Sequence, residues 1–383
     1  MKVNLKIIVL VLILTVLPLG QLVRIDNLFG FNHLNLLAID AVALLSVIFI
    51  KPYYKKFKLL FGSIIVYIVF INFLSLLKFN PSQVFIGSFY FVRLIIYFCL
   101  FIVVRESISK QFEKHKLLLY LLISVLVLSV FGWIQYFIFP NLTELKFLGW
   151  DDHLYRMTST MLDPNYLGAL FLIGISIANY FFVRSKNRKY LLTIIFLVIS
   201  ILFTYSRATY LGLFILLAVA FLRQKLHWKY FLIFLFSVFF ILFLPRYQSE
   251  GVKLERLHSV FTRIRNYKEF SNIIYQNPLF GIGYNNLCAY RGEFQTQSRS
   301  CAGSDSSMLY ILSTTGVIGL LLFIDLGQKI YGKIYKSDLI LVKPLFASLF
   351  VHSFFNNTLF YPYVAVPLVL ILGALSVRVK DKN

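Results

Sequence analysis

Long uninterrupted apolar runs dominate the chain, among them Ile7–Leu19, Leu59–Leu77, Leu117–Phe139 and Tyr230–Leu244. They are continuously apolar and do not alternate, which predicts helices and not the strands of a barrel. A helix that crosses a bilayer core of roughly 30 Å needs about 20 such residues. Between the runs, basic residues gather at 51–58, 105–116, 184–189, 223–229, 329–336 and 378–382. These clusters fall at every second loop, the pattern in which cytoplasmic loops carry the positive charge. About twelve spans satisfy the alternation, near 5–20, 33–50, 59–77, 83–103, 117–139, 164–183, 190–205, 209–222, 229–245, 307–327, 339–355 and 359–377. The expected fold is therefore all-α: a polytopic membrane helical bundle forming one integral membrane domain over 1–383. Both termini then lie on the cytoplasmic side of the cytoplasmic (inner) membrane. The first run lacks a small-residue cleavage site, and PLGQLVRI (18–25) reads as the end of an uncleaved span.

One interval breaks the pattern. Residues 245–319 contain no membrane-length apolar run until the tenth span begins, and they carry Arg256, Arg263 and Arg265. The large loop 246–306, between the ninth and tenth spans, is expected outside the membrane and to hold part of an active site. Loops 21–32 and 140–163 and the short turn Ser206–Ala208 share that side.

Composition sharpens this picture. With 59% hydrophobic and 14% charged residues and a mean hydropathy of +0.78, the chain is not a soluble globular protein. Its net charge of +22 would suggest nucleic acid in a soluble domain. Distributed as it is here, the charge instead marks topology and an attraction to anionic membrane lipids. No nucleic-acid partner is expected.

Polar residues inside spans are costly and face protein or a cavity. Asp40 and Arg93 lie at comparable depth in the second and fourth spans, as a buried salt bridge or with Arg93 holding an anionic ligand. In the loop after the fifth span, Asp151, Asp152 and His153 have metal-ligating side chains. Three adjacent residues rarely converge on one ion, so no metal is expected. Arg156 is the better candidate there, as an anion contact. Asp163 and Pro164 read as the cap and first turn of the sixth helix. Arg207 sits in a tight turn between two apolar helices, at the headgroup level, where a guanidinium meets phosphate. Pro278, Gly281 and Gly283 mark a turn that brings backbone into close approach with something. Cys288 and Cys301 form either a disulfide on the oxidising side or a free pair.

Three segments now fall into order. The first is SRATYLG (206–212). The second is Arg263 with Tyr267, followed by PLFGIG (278–283). The third is DSSML (305–309) followed by TGVIG (315–319). Together they resemble the bacterial O-antigen ligase and polymerase superfamily, membrane glycosyltransferases with a Wzy-C type domain. Tyr267 stands where that family has tryptophan, and Asp305 where it often has histidine. The resemblance implies a GT-C-like, metal-independent enzyme without a cofactor. It implies a polyprenyl-diphosphate-linked glycan as donor and a glycan, lipid or protein as acceptor, joined at the outer membrane face. Arg207 and Arg263 would then contact the donor diphosphate, with Arg156 and Arg265 as helpers. Two bidentate guanidiniums suit the charge that builds on a leaving diphosphate. Asp305 would accept the acceptor's proton or, its pKa lowered by the arginines, only orient the acceptor. A transporter or flippase of the same lipid-linked glycans is the alternative.

Overall fold

The computed structural model describes residues 5–28, 34–108, 111–223, 227–245, 247, 250–253, 257–292, 301 and 303–377. The basic cluster at 378–382, together with Arg256, Lys110 and Lys225, lies outside these described residues. Helices dominate: α1 (Leu5–Val16), α2 (Ala38–Leu44), α3 (Tyr54–Ser75), α4 (Pro81–Ser107), α5 (Gln111–Ile138), α6 (Pro164–Ser185) and α7 (Arg188–Leu202) come first. They are followed by α8 (Arg207–Arg223), α9 (His227–Phe243), α10 (His258–Gln276), α11 (Leu287–Arg291), α12 (Ser307–Tyr331), α13 (Leu339–Ser353) and α14 (Pro362–Leu375). The only sheet among the described residues is a two-stranded antiparallel clip, Arg24–Ile25 against Leu36–Leu37.

Among the described residues, six apolar segments are long enough to cross a membrane: Leu5–Leu22, Lys51–Ser75, Pro81–Ser107, Glu113–Ile138, Pro164–Ser185 and Ser307–Tyr331. Shorter apolar helices, α8, α9 and α14 among them, pack beside these. The stretch expected as one span over 33–50 is instead broken. α2 is short and passes into a 3-10 segment, Leu45–Phe49, ahead of Pro52. The core centres on α6, which is buried along nearly its whole length and packs on α5, α7, α8 and α13. Its start follows from local chemistry. The Asp163 carboxylate accepts from the backbone N–H groups of Asn165 (2.6 Å) and Tyr166 (3.2 Å), and Pro164 occupies the first turn.

The interval 246–306 is not a plain loop. It contains α10, whose apolar Phe270 and Ile273 are fully buried while Arg265 and Lys268 are exposed on the same helix. After α10, PLFGIG (278–283) runs along a break in α12. Gly316 has φ +65°, outside helical geometry, and interrupts α12 there. The loop fills the break: Ile282 N–H donates to Ser313 O (2.9 Å) and Val317 N–H to Pro278 O (2.9 Å). The Tyr67 hydroxyl of α3 donates to Thr315 O (2.6 Å) at the same joint. Irregular backbone inside a membrane-length bundle is stable only when its polar groups are paired in this way.

Candidate functional site

The α7–α8 turn sets the first element of the site. Phe203–Ser206 reverse the chain, and Tyr205 adopts φ +50°. The turn is gripped from two sides. Arg156 Nε donates to Thr204 O (3.0 Å), and a second guanidinium nitrogen reaches Tyr205 O (3.4 Å). On the other side the Ser206 hydroxyl donates to Asn165 Oδ1 (2.7 Å) and accepts from Thr209 Oγ1 (2.9 Å). Thr209 in turn lies 3.3 Å from His352 Nε2, and His352 Nδ1 lies 2.7 Å from Thr358 Oγ1. Arg207 therefore stands not in a free turn but at the first residue of α8, where the positive end of the helix dipole adds to its own charge.

α10 supplies the second element. Arg263 and Tyr267, one helical turn apart, share a face. The Tyr267 hydroxyl donates to Phe354 O, just past α13, and the Arg263 guanidinium lies 5.7 Å from the centre of the Phe355 ring. Arg207, Arg263, Tyr267, Lys268 and Phe355 together line one cavity of about 730 Å³. Its remaining walls are mostly apolar side chains of α8 and α10, such as Leu211, Val260 and Ile264. A low-dielectric wall around two guanidiniums strengthens their pull on an anion. Arg207 and Arg263 are also close enough to repel each other.

Asp305 does not line this cavity but is close enough to Arg263 to feel its charge. Its backbone N–H donates to Asn266 Oδ1 of α10 (3.0 Å), so the residue is anchored to the helix that carries Arg263 and Tyr267. Burial raises its pKa above the ordinary 3.8, and the negative charge of Asp151 adds to that. The charges of Arg263 and Arg291 pull the other way without overcoming it. This corrects the expectation of a carboxylate made a weak base by arginines: desolvation outweighs the nearby cations.

Residues 191–324 match the family model of O-antigen ligase (Wzy_C). Over this stretch, about a third of its length, the chain is similar to the O-antigen ligase family. No curated protein sequence matches it. The matched segment runs from α7 into α12 and contains Arg207, Arg263, the PLFGIG loop and Asp305. With its membrane-length apolar helices, the chain is a multi-pass membrane protein.

The other candidate residues divide. Arg265 is exposed on α10 and does not line the cavity. Arg156 does not line it either. It is buried, at 7% exposure, against the carbonyls that precede Arg207. Gly281 and Gly283 both have positive φ and belong to the joint with α12. Cys288 and Cys301 are joined by a disulfide that ties α11 to the start of the Asp305 segment. Asp40 and Arg93 form an ion pair of 2.8 Å, and the Tyr97 hydroxyl donates to the same carboxylate. Among the described residues no three His, Cys, Asp or Glu side chains converge as metal ligands, and Asp151, Asp152 and His153 form no such group. Reasoning from sequence missed Lys268, Phe355 and Asn266. Lys268 follows Tyr267 directly on α10, and no helical spacing from Arg263 singles it out. Nothing in the sequence pointed to Phe355, which reaches the site only through tertiary packing.

Proposed function

We propose that this protein transfers a glycan from a polyprenyl-diphosphate donor to an acceptor hydroxyl at the outer face of the cytoplasmic membrane. What supports this above all is the cavity that Arg207 and Arg263 line together, though the two residues come from helices far apart in the chain. In the transfer, the acceptor oxygen bonds to the anomeric carbon while the bond from that carbon to the diphosphate oxygen breaks. The electron pair leaves with the polyprenyl diphosphate. Its growing charge is met by two guanidiniums whose planar forks match phosphate oxygens two at a time. Donors aimed at a developing charge in a water-poor site stabilise it most when they need little reorganisation. Asp305 takes the acceptor's proton, a role suited to a carboxylate whose pKa burial raises above its ordinary value.

The test is incubation of the purified protein, in lipid nanodiscs, with a polyprenyl-diphosphate oligosaccharide, followed by mass spectrometry of lipid and glycan. Longer glycans on the same lipid indicate a polymerase, and glycan on an added acceptor indicates a ligase. Donor carried unchanged across a vesicle bilayer, with no product in either assay, would overturn transfer in favour of a flippase.

A further inference from the structure

A second cavity, of about 530 Å³, lies beside the Asp305 segment. Residues 355–357 form part of the partition, for Phe355 lines the Arg207 cavity while Asn357 lines the second one. Gly303 and Met308, which flank Asp305, also face the second cavity. At this end its lining is polar and aromatic: Tyr166, Asn285, Tyr310 and Asn357. The Tyr310 hydroxyl donates to Asn285 Oδ1 (3.0 Å), and the rings of Tyr166 and Tyr361 stack with centres 3.7 Å apart.

Away from the partition the cavity turns apolar and follows α12 from Met308 to Ile330, with Leu320, Phe323 and Ile324 on the way. At 1.5 Å per residue that stretch rises roughly 33 Å, about the thickness of a bilayer core. Ile324 is 46% exposed on this membrane-length helix, so the apolar end opens sideways to whatever surrounds the bundle. The cavity is thus shaped for an amphiphile: a polar head beside Asp305 and a chain lying along α12.

The polar end also indicates what kind of head fits. Arg93 lines the cavity, but its charge is balanced by Asp40 at 2.8 Å, so the site offers no net positive charge for a phosphate. Two buried polar atoms of the lining have no hydrogen-bond partner, the donor Arg93 Nε and the acceptor Asn357 Oδ1. Leaving such atoms unpaired costs about 1–3 kcal/mol each. A head rich in hydroxyls supplies both acceptors and donors, and tyrosine rings give flat faces for the C–H surface of a sugar.

We propose that this second cavity binds the acceptor as a glycolipid, with an uncharged saccharide head at Tyr310 and Asn357 and its lipid chain along α12. The assignment rests on the transferase reading above. Donor and acceptor then meet near the Asp305 segment, the donor held by charge and the acceptor by neutral hydrogen bonds.

The test needs no turnover, so its outcome is independent of whether transfer is seen. A photoreactive dodecyl glucoside is crosslinked to the full-length protein in nanodiscs, and the labelled residues are mapped by mass spectrometry. A photoreactive dodecyl phosphocholine serves as the charged-head control. Labelling is expected on the segments around Tyr310 and Asn357, at least tenfold above the phosphocholine probe. Leu320→Trp, which fills the apolar end, should reduce it about tenfold while leaving retention of inorganic pyrophosphate, the probe for the Arg207 cavity, unchanged. Asn357→Leu should do the same from the polar end. Equal labelling by both probes, labelling only on outward faces of the bundle, or labelling indifferent to both substitutions would overturn the proposal. If the pattern appears but no glycan is transferred, the cavity stands and the transferase reading falls.

Discussion

Gly281 and Gly316 stand backbone against backbone. Each has positive φ, +66° and +65°, and a Cβ on either would overlap the other's chain: on Gly281 it would meet the Thr314 carbonyl carbon, on Gly316 the Leu279 carbonyl. The two glycine-bearing motifs of the sequence are therefore halves of one joint, which docks the end of α10 onto the break in α12. Since α10 carries Arg263 and α12 begins at the Asp305 segment, the joint fixes the distance between the two.

Substitution at either glycine combines left-handed backbone strain with a steric overlap that only backbone movement can relieve. Gly316→Ala and Gly281→Ala should each lower stability by about 1–3 kcal/mol for strain alone, and more with the overlap. Thermal unfolding in detergent measures this. Gly292 is the control: it also has positive φ, but a Cβ there meets nothing within 4 Å. If Gly292→Ala proved as harmful as Gly316→Ala, strain alone would account for the losses and the joint would not.

Arg207→Lys and Arg263→Lys keep the charge and remove the fork. Loss of one preorganised donor at a developing charge costs roughly 10²–10³-fold in kcat, and each variant should fall in that range while inserting and folding normally. Lysine variants with near-native turnover would mean that a point charge suffices and that no bidentate clamp operates.

Asp305 links activity, stability and pH. Its folded pKa is raised above the unfolded value. The folded state therefore binds this proton more readily, and the group's contribution to stability is present at low pH and is lost as pH rises through the raised pKa. At neutral pH the ionised carboxylate is thus a burden on the fold. Asp305→Asn should melt at a higher temperature than the native protein near pH 7, with the difference vanishing below the ordinary carboxylate range. The same variant should abolish transfer, and native activity should fall as pH drops through the raised pKa. A variant of lower melting temperature at pH 7 would show that the carboxylate is held by favourable partners.

Much of the scaffold was legible because an apolar run has few options in a bilayer. A backbone there must satisfy its own hydrogen bonds, so length and continuity alone predict helices. Asp163 and Pro164 announced the start of α6 because capping chemistry is local. Arg207 and Arg263 could be singled out by residue type beside an apolar helix and a glycine turn, but their common cavity is a tertiary fact. The same holds for the glycine joint: Pro278, Gly281 and Gly283 suggested a close approach, while the partner Gly316, more than thirty residues on, was written in no spacing. The break after α2 went unseen since a hydropathy pattern does not register 3-10 geometry. The pKa direction at Asp305 was misjudged because sequence shows neighbouring charges and hides burial.

Arg156 shows how a residue can be chosen for the right reason and act elsewhere. Its guanidinium faces the carbonyls of Thr204 and Tyr205 and does not line the Arg207 cavity. It then serves to hold the turn that presents Arg207, and its loss would leave buried carbonyls short of donors, at about 1–3 kcal/mol. Arg156→Ala should lower kcat about tenfold or more through displacement of Arg207, and Arg156→Lys, which keeps one donor, should recover part of that. The decisive measurement is a double-mutant cycle. If Arg156 acts through Arg207, then Arg156→Ala combined with Arg207→Ala should be no worse than Arg207→Ala alone. Additive losses, with a matching drop in pyrophosphate retention for Arg156→Ala in the Arg207→Ala background, would put Arg156 on the diphosphate after all.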